Sequence, residues 1–364
     1  MRFQEFRTFL TEAAKVGREY QHLEDLVFVK GSEGANEAAD ILEKLGGDTG
    51  DVAIKWDGNP TIYWGREPDG QFVLVGKNGW MKGTKSTSAD EIANFIKTSG
   101  QGEDWREKFG NDMGQVFSIM QAVTPEDFRG YVYGDLLYHP GKPFNETDGK
   151  IQFTPNLVTY TVDKDSDLGK RISQSEVGVV VHSKYDEFGS KKGTPVSDVK
   201  ELNSNNVVVL GQTYVTHTPN VDTSEVNQIR SMTQKFGDQI DRFLAGTKGL
   251  SNPAGIIYTY VNQMSRSRQL DKLESNFFEW LKNSKVSGGQ QQKLAAMNDE
   301  LPQALPGIFA LVKEIMNVKN DIIDQLDNAD ADVQQSTGDE KGGEGYVALG
   351  PKVKLVPRSR WQPN

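Results

Sequence analysis

The sequence predicts an α+β protein centred on antiparallel sheet, and three observations lead there. Short β-rich runs recur between residues 52 and 215, each bounded by Gly, Pro, Asn or Asp turn signals. From Asp222 to Asp327 the chain becomes polar, with apolar residues at helical spacing. Strand character then returns at 345–349 and 352–356. The simplest organisation is a helical module, 222–330, inserted into a β-rich domain that occupies 1–221 and is completed by a linker and final strands in 331–364.

Taken in order, residues 1–20 set Phe3, Phe6, Phe9, Leu10 and Ala13 on one helical face. A helix over 35–45 is ended by Gly46-Gly47. Runs at 52–56, 61–64 and 72–75 are rich in Val, Ile, Trp, Tyr and Phe. They are separated by Asp57-Gly58-Asn59-Pro60 and Pro68-Asp69-Gly70, which predicts strands joined by tight turns. Helices over 90–98 and 105–122 flank that sheet, and strands resume at 130–138, 157–162, 177–182 and 207–215. The polar region predicts helices at 225–245, 253–282, 290–301 and 305–326, punctuated by Ser287-Gly288-Gly289, Pro302 and Pro306. Residues 328–343 read as a mobile polar linker.

Composition narrows the function. No run reaches the ~18 apolar residues of a membrane span. The first residues carry charges of both signs and no secretory apolar core. With 0 cysteines, disulfide partners, thiolate catalysis and zinc–thiolate sites are excluded, which fits a cytoplasmic setting. The net charge of −10 argues against a whole-surface grip on nucleic acid, so any polynucleotide contact requires local basic patches. Arg266-Ser267-Arg268, the tail 352–360, and Lys184 with Lys191-Lys192 are the candidates. His22, His139, His182 and His217 lack metal-ligand spacing and read as structural or exposed.

Lys55-Trp56-Asp57-Gly58 leaves the strand begun by Val52-Ala53-Ile54, an arrangement suited to attack on a nucleotide phosphate. A lysine nucleophile must shed a proton, which nearby positive charge or burial assists. It must also face a triphosphate whose charge is neutralised by metal and other lysines, and magnesium prefers carboxylate oxygens. Asp135 is a carboxylate in the otherwise apolar strand Val132-Tyr133-Gly134-Asp135-Leu136-Leu137-Tyr138. Glu344 opens Glu344-Gly345-Tyr346-Val347, and Lys352 and Lys354 stand two apart, sharing a face if both lie on a strand.

That order resembles the covalent nucleotidyltransferases, the superfamily of ATP-dependent DNA ligases, RNA ligases and mRNA capping guanylyltransferases. It comprises Lys-x-Asp-Gly, Gly76-Lys77-Asn78-Gly79, Gly134-Asp135, an aromatic strand, Glu-Gly-x-Val and Lys-x-Lys. The chain is also similar to an uncharacterised family of tailed-phage proteins, which would place it in the host cytoplasm. The resemblance covers residues 50–165 and 344–356. It implies an antiparallel-sheet nucleotidyltransferase domain, ATP-grasp-like as in ligase adenylation domains, with ATP and Mg2+ (or Mn2+) as cofactors. Lys55 is then the nucleophile that forms a lysyl-AMP, with Asp57 beside the nucleotide. Lys77 contacts nucleotide or acceptor strand, Asp135 touches ribose or metal, and Tyr160 stacks on the base. Glu344 holds the metal, and Lys352 and Lys354 grip the α-phosphate.

Pro60 stands five residues after Lys55, where ligases usually carry arginine, and Asp135 replaces the commoner glutamate. Ten residues follow Lys354, which leaves no room for a C-terminal OB domain, and an RNA-ligase-like enzyme tolerates that best. The expected activity is polynucleotide joining, on RNA more readily than DNA. The alternatives are a non-nucleic-acid acceptor, or a non-catalytic binding or virion-associated protein that keeps the fold.

Overall fold

The computed structural model describes residues 21–99, 104–196, 199–246 and 252–358. The helix expected over 1–20 lies outside the described residues. In chain order, β1 (Gln21–His22) leads through a 3-10 turn into α1 (Leu26–Leu45), followed by β2 (Val52–Ile54), β3 (Thr61–Arg66) and β4 (Phe72–Gly76). Helices α2 (Lys77–Lys82), α3 (Ala89–Thr98) and α4 (Asp104–Val123) come next. Strands β5 (Gly130–Tyr138), β6 (Asn145–Thr147), β7 (Lys150–Phe153) and β8 (Thr159–Asp163) precede α5 (Asp167–Ser173). Then follow β9 (Val177–Tyr185), β10 (Thr194–Pro195) and β11 (Val207–Leu210). The helices α6 (Thr223–Ala245), α7 (Pro253–Arg266), α8 (Phe277–Asn283), α9 (Gly288–Glu300) and α10 (Ala304–Asn328) lead to β12 (Val333–Thr337), β13 (Glu340–Lys341), β14 (Tyr346–Ala348) and β15 (Val353–Leu355). The α+β class is as expected.

The chain divides into two compact units. The β-rich unit is Ile54–Tyr214 with Asp330–Glu344; the helical unit holds the chain up to Ala53, Val215–Ala329, and Gly345 onward. This differs from the expected insertion. The helical segment has its own partner in α1, and the final strands belong with it. Ala35, Ala38, Ala39 and Leu42 of α1 and Ile229, Ile240 and Phe243 of α6 are all buried, so the small residues of α1 let these helices pack closely. A kink at Gly31 (φ +66°) admits Asp241, whose carboxylate accepts from Ser32 N (2.7 Å) and Oγ (2.6 Å). Strands β1, β15, β14 and β2 form a small sheet in that order, with β1 and β15 parallel.

In the helical unit the side chains of Glu24, Asp25, Lys319 and Arg358 are sealed from solvent. Lys319 Nζ donates to Glu24 Oε2 and to Val356 O, each at 2.8 Å. Arg358 Nε donates to Glu24 Oε1 (2.5 Å), Nη1 to Asn262 Oδ1 (2.6 Å), and Nη2 to Asp25 Oδ1. The two cations hold the Glu24 carboxyl far below the usual carboxylate range despite its burial. Burial pushes Asp25 up to about 7, and its Oδ2 has no hydrogen-bond partner. Arg358 was expected in a phosphate-binding tail patch; buried between two carboxylates, it is spent on structure.

The β-rich unit contains two sheets. One runs β10-β9-β5-β3-β4 with β11 parallel to β9; the other runs β13-β12-β8-β7-β6. Two-residue alternation sends Ile62 and Trp64 of β3 to one face, where they bury against Ile92 of α3 and Met113, Phe117 and Met120 of α4. Thr61 and Tyr63 take the other face, where Tyr63 stacks on Trp80 of α2 at 4.3 Å. Helix α3 starts at Ser88, whose Oγ accepts from Glu91 N (3.2 Å), while the Glu91 carboxylate accepts from Thr87 N (2.6 Å). Residues 330–341 are not a free linker. Strand β12 pairs antiparallel with β8, Val333 opposite Val162, although its polar sequence gives no apolar alternation to announce a strand. The helix expected over 253–282 breaks after Arg266, where the Ser267 hydroxyl bonds back to Gln263 O (3.0 Å) and Arg268 adopts φ +56°. The strand expected over 207–215 ends at Leu210.

A candidate active site around Lys55

The segment after β2 remains extended, so its side chains alternate. Ile54 and Trp56 are buried, while Lys55 and Asp57 are half-buried on the opposite side. Trp56 anchors the segment. Its ring packs on Tyr160 (4.5 Å) and Phe153 (6.4 Å), and its Nε1 donates to Thr213 Oγ1 (3.2 Å). With its neighbours fixed, Lys55 is presented at a partly open surface, where its Nζ meets the Glu344 carboxylate from the far end of the same unit.

Asp57 is a loop fastener. Its two carboxylate oxygens accept from Asn156 Nδ2 (3.2 Å) and Leu157 N (3.3 Å), and its own N–H donates to the Tyr160 hydroxyl (2.6 Å). Gly58 permits the next step. A β-carbon there would lie 2.6 Å from Asp135 Cβ and 3.0 Å from Leu136 O, so only glycine lets the loop cross β5 this closely. Asn59 N then donates to Leu136 O (2.8 Å) and Leu136 N to Pro60 O (3.0 Å), the Asn59–Pro60 peptide being cis. The Lys55 loop is thus laid against Asp135.

Asp135 faces Thr61 across the β3–β5 ladder, accepting from Thr61 Oγ1 (2.6 Å) on one oxygen and hydrogen-bonding His182 Nε2 (2.9 Å) on the other. His182 falls at the register shift where β9 passes Tyr133 and Gly134 of β5, and its ring sits 5.2 Å from that of Tyr133. Burial and the Asp135 charge drive the Tyr133 phenol well above its usual range, and burial raises Tyr63 to about 12. The sequence did not single out His182. A histidine in an apolar strand carries no spacing signal, and only the carboxylate opposite gives it meaning.

Tyr160 is corrected. It is 0% exposed, enclosed by Trp56 and Phe153, so neither ring face is open to a base; it is a core residue that holds Asp57. Lys352 and Lys354 belong to the helical unit. Lys354 lies on β15 opposite His22 and Val347, whereas Lys352 is in the preceding turn at φ +57°, so strand alternation does not set the pair on one face. Lys77 begins α2 on the rim of a cleft with Asn59, Pro60 and Thr61, and no described residue pairs with it.

A family model described as "Family of unknown function (DUF6267)" matches residues 19–362, and the chain belongs to that family. No curated protein and no solved structure matches the chain. Among the described residues, no helix is long and apolar enough to cross a membrane.

Proposed function

We propose that this protein is a covalent nucleotidyltransferase, an ATP-dependent, RNA-ligase-like polynucleotide ligase built on the nucleotidyltransferase fold. The pairing of Lys55 with Glu344, across 289 positions of sequence, carries the reading. A lone lysine before a turn is usually a surface residue. A lysine on an anchored loop, with a remote carboxylate at its amine and Asp135 under the loop, supports the reading of Lys55 as a nucleophile in a built site.

In the first step the Lys55 Nζ lone pair forms a bond to the α-phosphorus of ATP. The bond from that phosphorus to the bridging oxygen breaks and pyrophosphate leaves. The amine proton passes to the Glu344 carboxylate or to water. A 5′-phosphate oxygen of the acceptor then attacks the same phosphorus, the phosphorus–nitrogen bond breaks, and Lys55 is restored. Finally a 3′-hydroxyl attacks the 5′ phosphorus and AMP departs. The resemblance gives Asp135 to the ribose or metal.

Glu344, one-third exposed, fits a magnesium or manganese ion that arrives with the nucleotide. Such ions commonly take one or two carboxylates and complete their shell with phosphate oxygens and water. Bound there, the ion would neutralise charge on the triphosphate.

The test is covalent labelling. Incubation with magnesium and α-labelled ATP or GTP, followed by denaturation, should leave label on wild type and none on Lys55→Ala. Absence of label with either nucleotide, while a control ligase labels, overturns the reading in favour of a binding protein on this fold. Sealing assays on nicked RNA, DNA and hybrid duplexes then identify the acceptor.

A further inference from the structure

The β-rich unit has a second feature that the covalent chemistry does not use. A cleft of about 380 Å3 opens between α3 and α4 at the end of β3 and β4. That volume falls within the ~300–1,000 Å3 typical of small-ligand pockets. Its inner wall is apolar: Ile92 and Met113 are buried beneath half-buried Phe95 and Phe109. Trp105 stands at the mouth, 53% exposed, with its ring 6.1 Å from that of Phe109.

The polar part of the lining is one-sided. It includes the cations Lys77 and Arg106 and, among the described residues, no carboxylate. Lys77 has no described partner. The Arg106 guanidinium lies 4.7 Å from the Trp105 ring and donates from Nη1 to Ser99 Oγ (3.2 Å). Its Nε is buried and makes no hydrogen bond. A buried guanidinium N–H without an acceptor is costly to maintain, and an anion is the partner that would satisfy it. The amides of Asn59 and Asn78 also line the cleft and can read polar edges.

We infer that this cleft is a second ligand site, one that takes a nucleoside monophosphate group, either free or as the 5′ end of a strand. The ring packs among Phe95, Trp105 and Phe109, and the phosphate lies against Arg106 and Lys77. Aromatic stacking of a base contributes roughly 1–3 kcal/mol, and arginine matches a phosphate with paired N–H donors. Asn59, Pro60 and Thr61 form one edge of the cleft and also end the Lys55 loop, so the proposed covalent chemistry gives the ligand its purpose as acceptor. Binding itself requires none of that chemistry.

The experiment is equilibrium binding on the full-length chain without ATP, in wild type and in Lys55→Ala. Its probes are AMP, a short oligoadenylate with a 5′-phosphate, and the same strand with a 5′-hydroxyl. Quenching of tryptophan fluorescence reports occupancy, and Trp105→Phe should abolish the quench while competition still detects binding. Arg106→Gln should weaken the 5′-phosphate ligands at least tenfold, and Lys77→Gln by a smaller factor. Unchanged circular dichroism and thermal midpoint in Arg106→Gln establish that the fold is intact. A 5′-phosphate strand binding tenfold tighter than AMP identifies a strand-end site; equal affinities identify a mononucleotide site. Equal binding of 5′-phosphate and 5′-hydroxyl strands together with no binding of AMP overturns the inference, as does Arg106→Gln binding like wild type. Lys55→Ala binds normally even if covalent labelling fails, so this result and the labelling result stand apart.

Discussion

Each unit holds a set of charges that contrasts with the other's. In the helical unit Glu24, Asp25, Lys319 and Arg358 have side chains no more than 1% exposed, and all but Asp25 make two or more hydrogen bonds within the cluster and its surroundings. In the β-rich unit the Lys55 and Glu344 side chains are 30% and 32% exposed and rest on a single contact with each other. Sealed charges are costly to desolvate and costly to separate, so they fix the chain in one arrangement. Charges at the edge of solvent contribute little to stability and can exchange partners. The difference sorts the ionic groups of this protein by what they are free to do.

The largest expected effect breaks the exposed pair. Lys55→Ala should lower covalent nucleotide labelling by ~1,000-fold or more, because removal of a nucleophile eliminates the step it performs. The same substitution should change stability by less than about 1 kcal/mol, as for other exposed ion pairs. A large loss of thermal stability in Lys55→Ala would place the pair with the structural charges instead.

Next comes the sealed cluster. Lys319→Met takes away one of the two cations on buried Glu24 and should destabilise the helical unit by about 3–5 kcal/mol, read from chemical denaturation. Adding Glu24→Gln should recover part of that loss; the absence of any recovery would mean that Lys319 stabilises by packing rather than by charge. Gly58→Ala sharpens the comparison from the other side. Its new methyl collides with Asp135, so a cost of about 1–3 kcal/mol is expected together with weaker labelling.

A further effect is a slope with pH. Asp25 rises from 3.8 to about 7 in the folded protein, so the folded state binds the proton more tightly than the unfolded chain. Its stabilising contribution is complete below pH 3.8 and is lost as pH climbs through about 7. Asp25→Asn has nothing to titrate there. Its thermal midpoint should therefore gain on wild type as pH increases from 3.8 to about 7, and parallel curves would refute the assignment.

Much of the β-rich unit was legible because its strands obey a simple rule. β3, β4 and β5 are short runs rich in β-branched and aromatic residues between turn signals, and Asp135 stood out as a carboxylate in such a strand. Glu344 was legible through its Glu-Gly context, although nothing local told how far the chain would travel to reach Lys55. Other features were hidden for definite reasons. β12, Val-Gln-Gln-Ser-Thr, has one apolar residue and acquires its strand only by pairing with β8. Tyr160 reads like any strand aromatic, and only the rings around it decide that it is core. Arg358 reads as one more basic tail residue until two carboxylates more than 300 positions away close on it. His182 needed its partner across the sheet. In each case the deciding contact is long-range, and periodicity reports only local order.

The excursion from Asp330 to Glu344 has a consequence for how this polypeptide can be divided. Strand β12 and the carboxylate that meets Lys55 are contributed by fifteen residues (330–344) whose flanking segments both belong to the other unit. A cassette of Ile54–Tyr214, the obvious clone from the sheet pattern, would carry the lysine but neither that strand nor its acid. No single cut, whether by a protease, a cloning primer or a recombination breakpoint, yields an intact half.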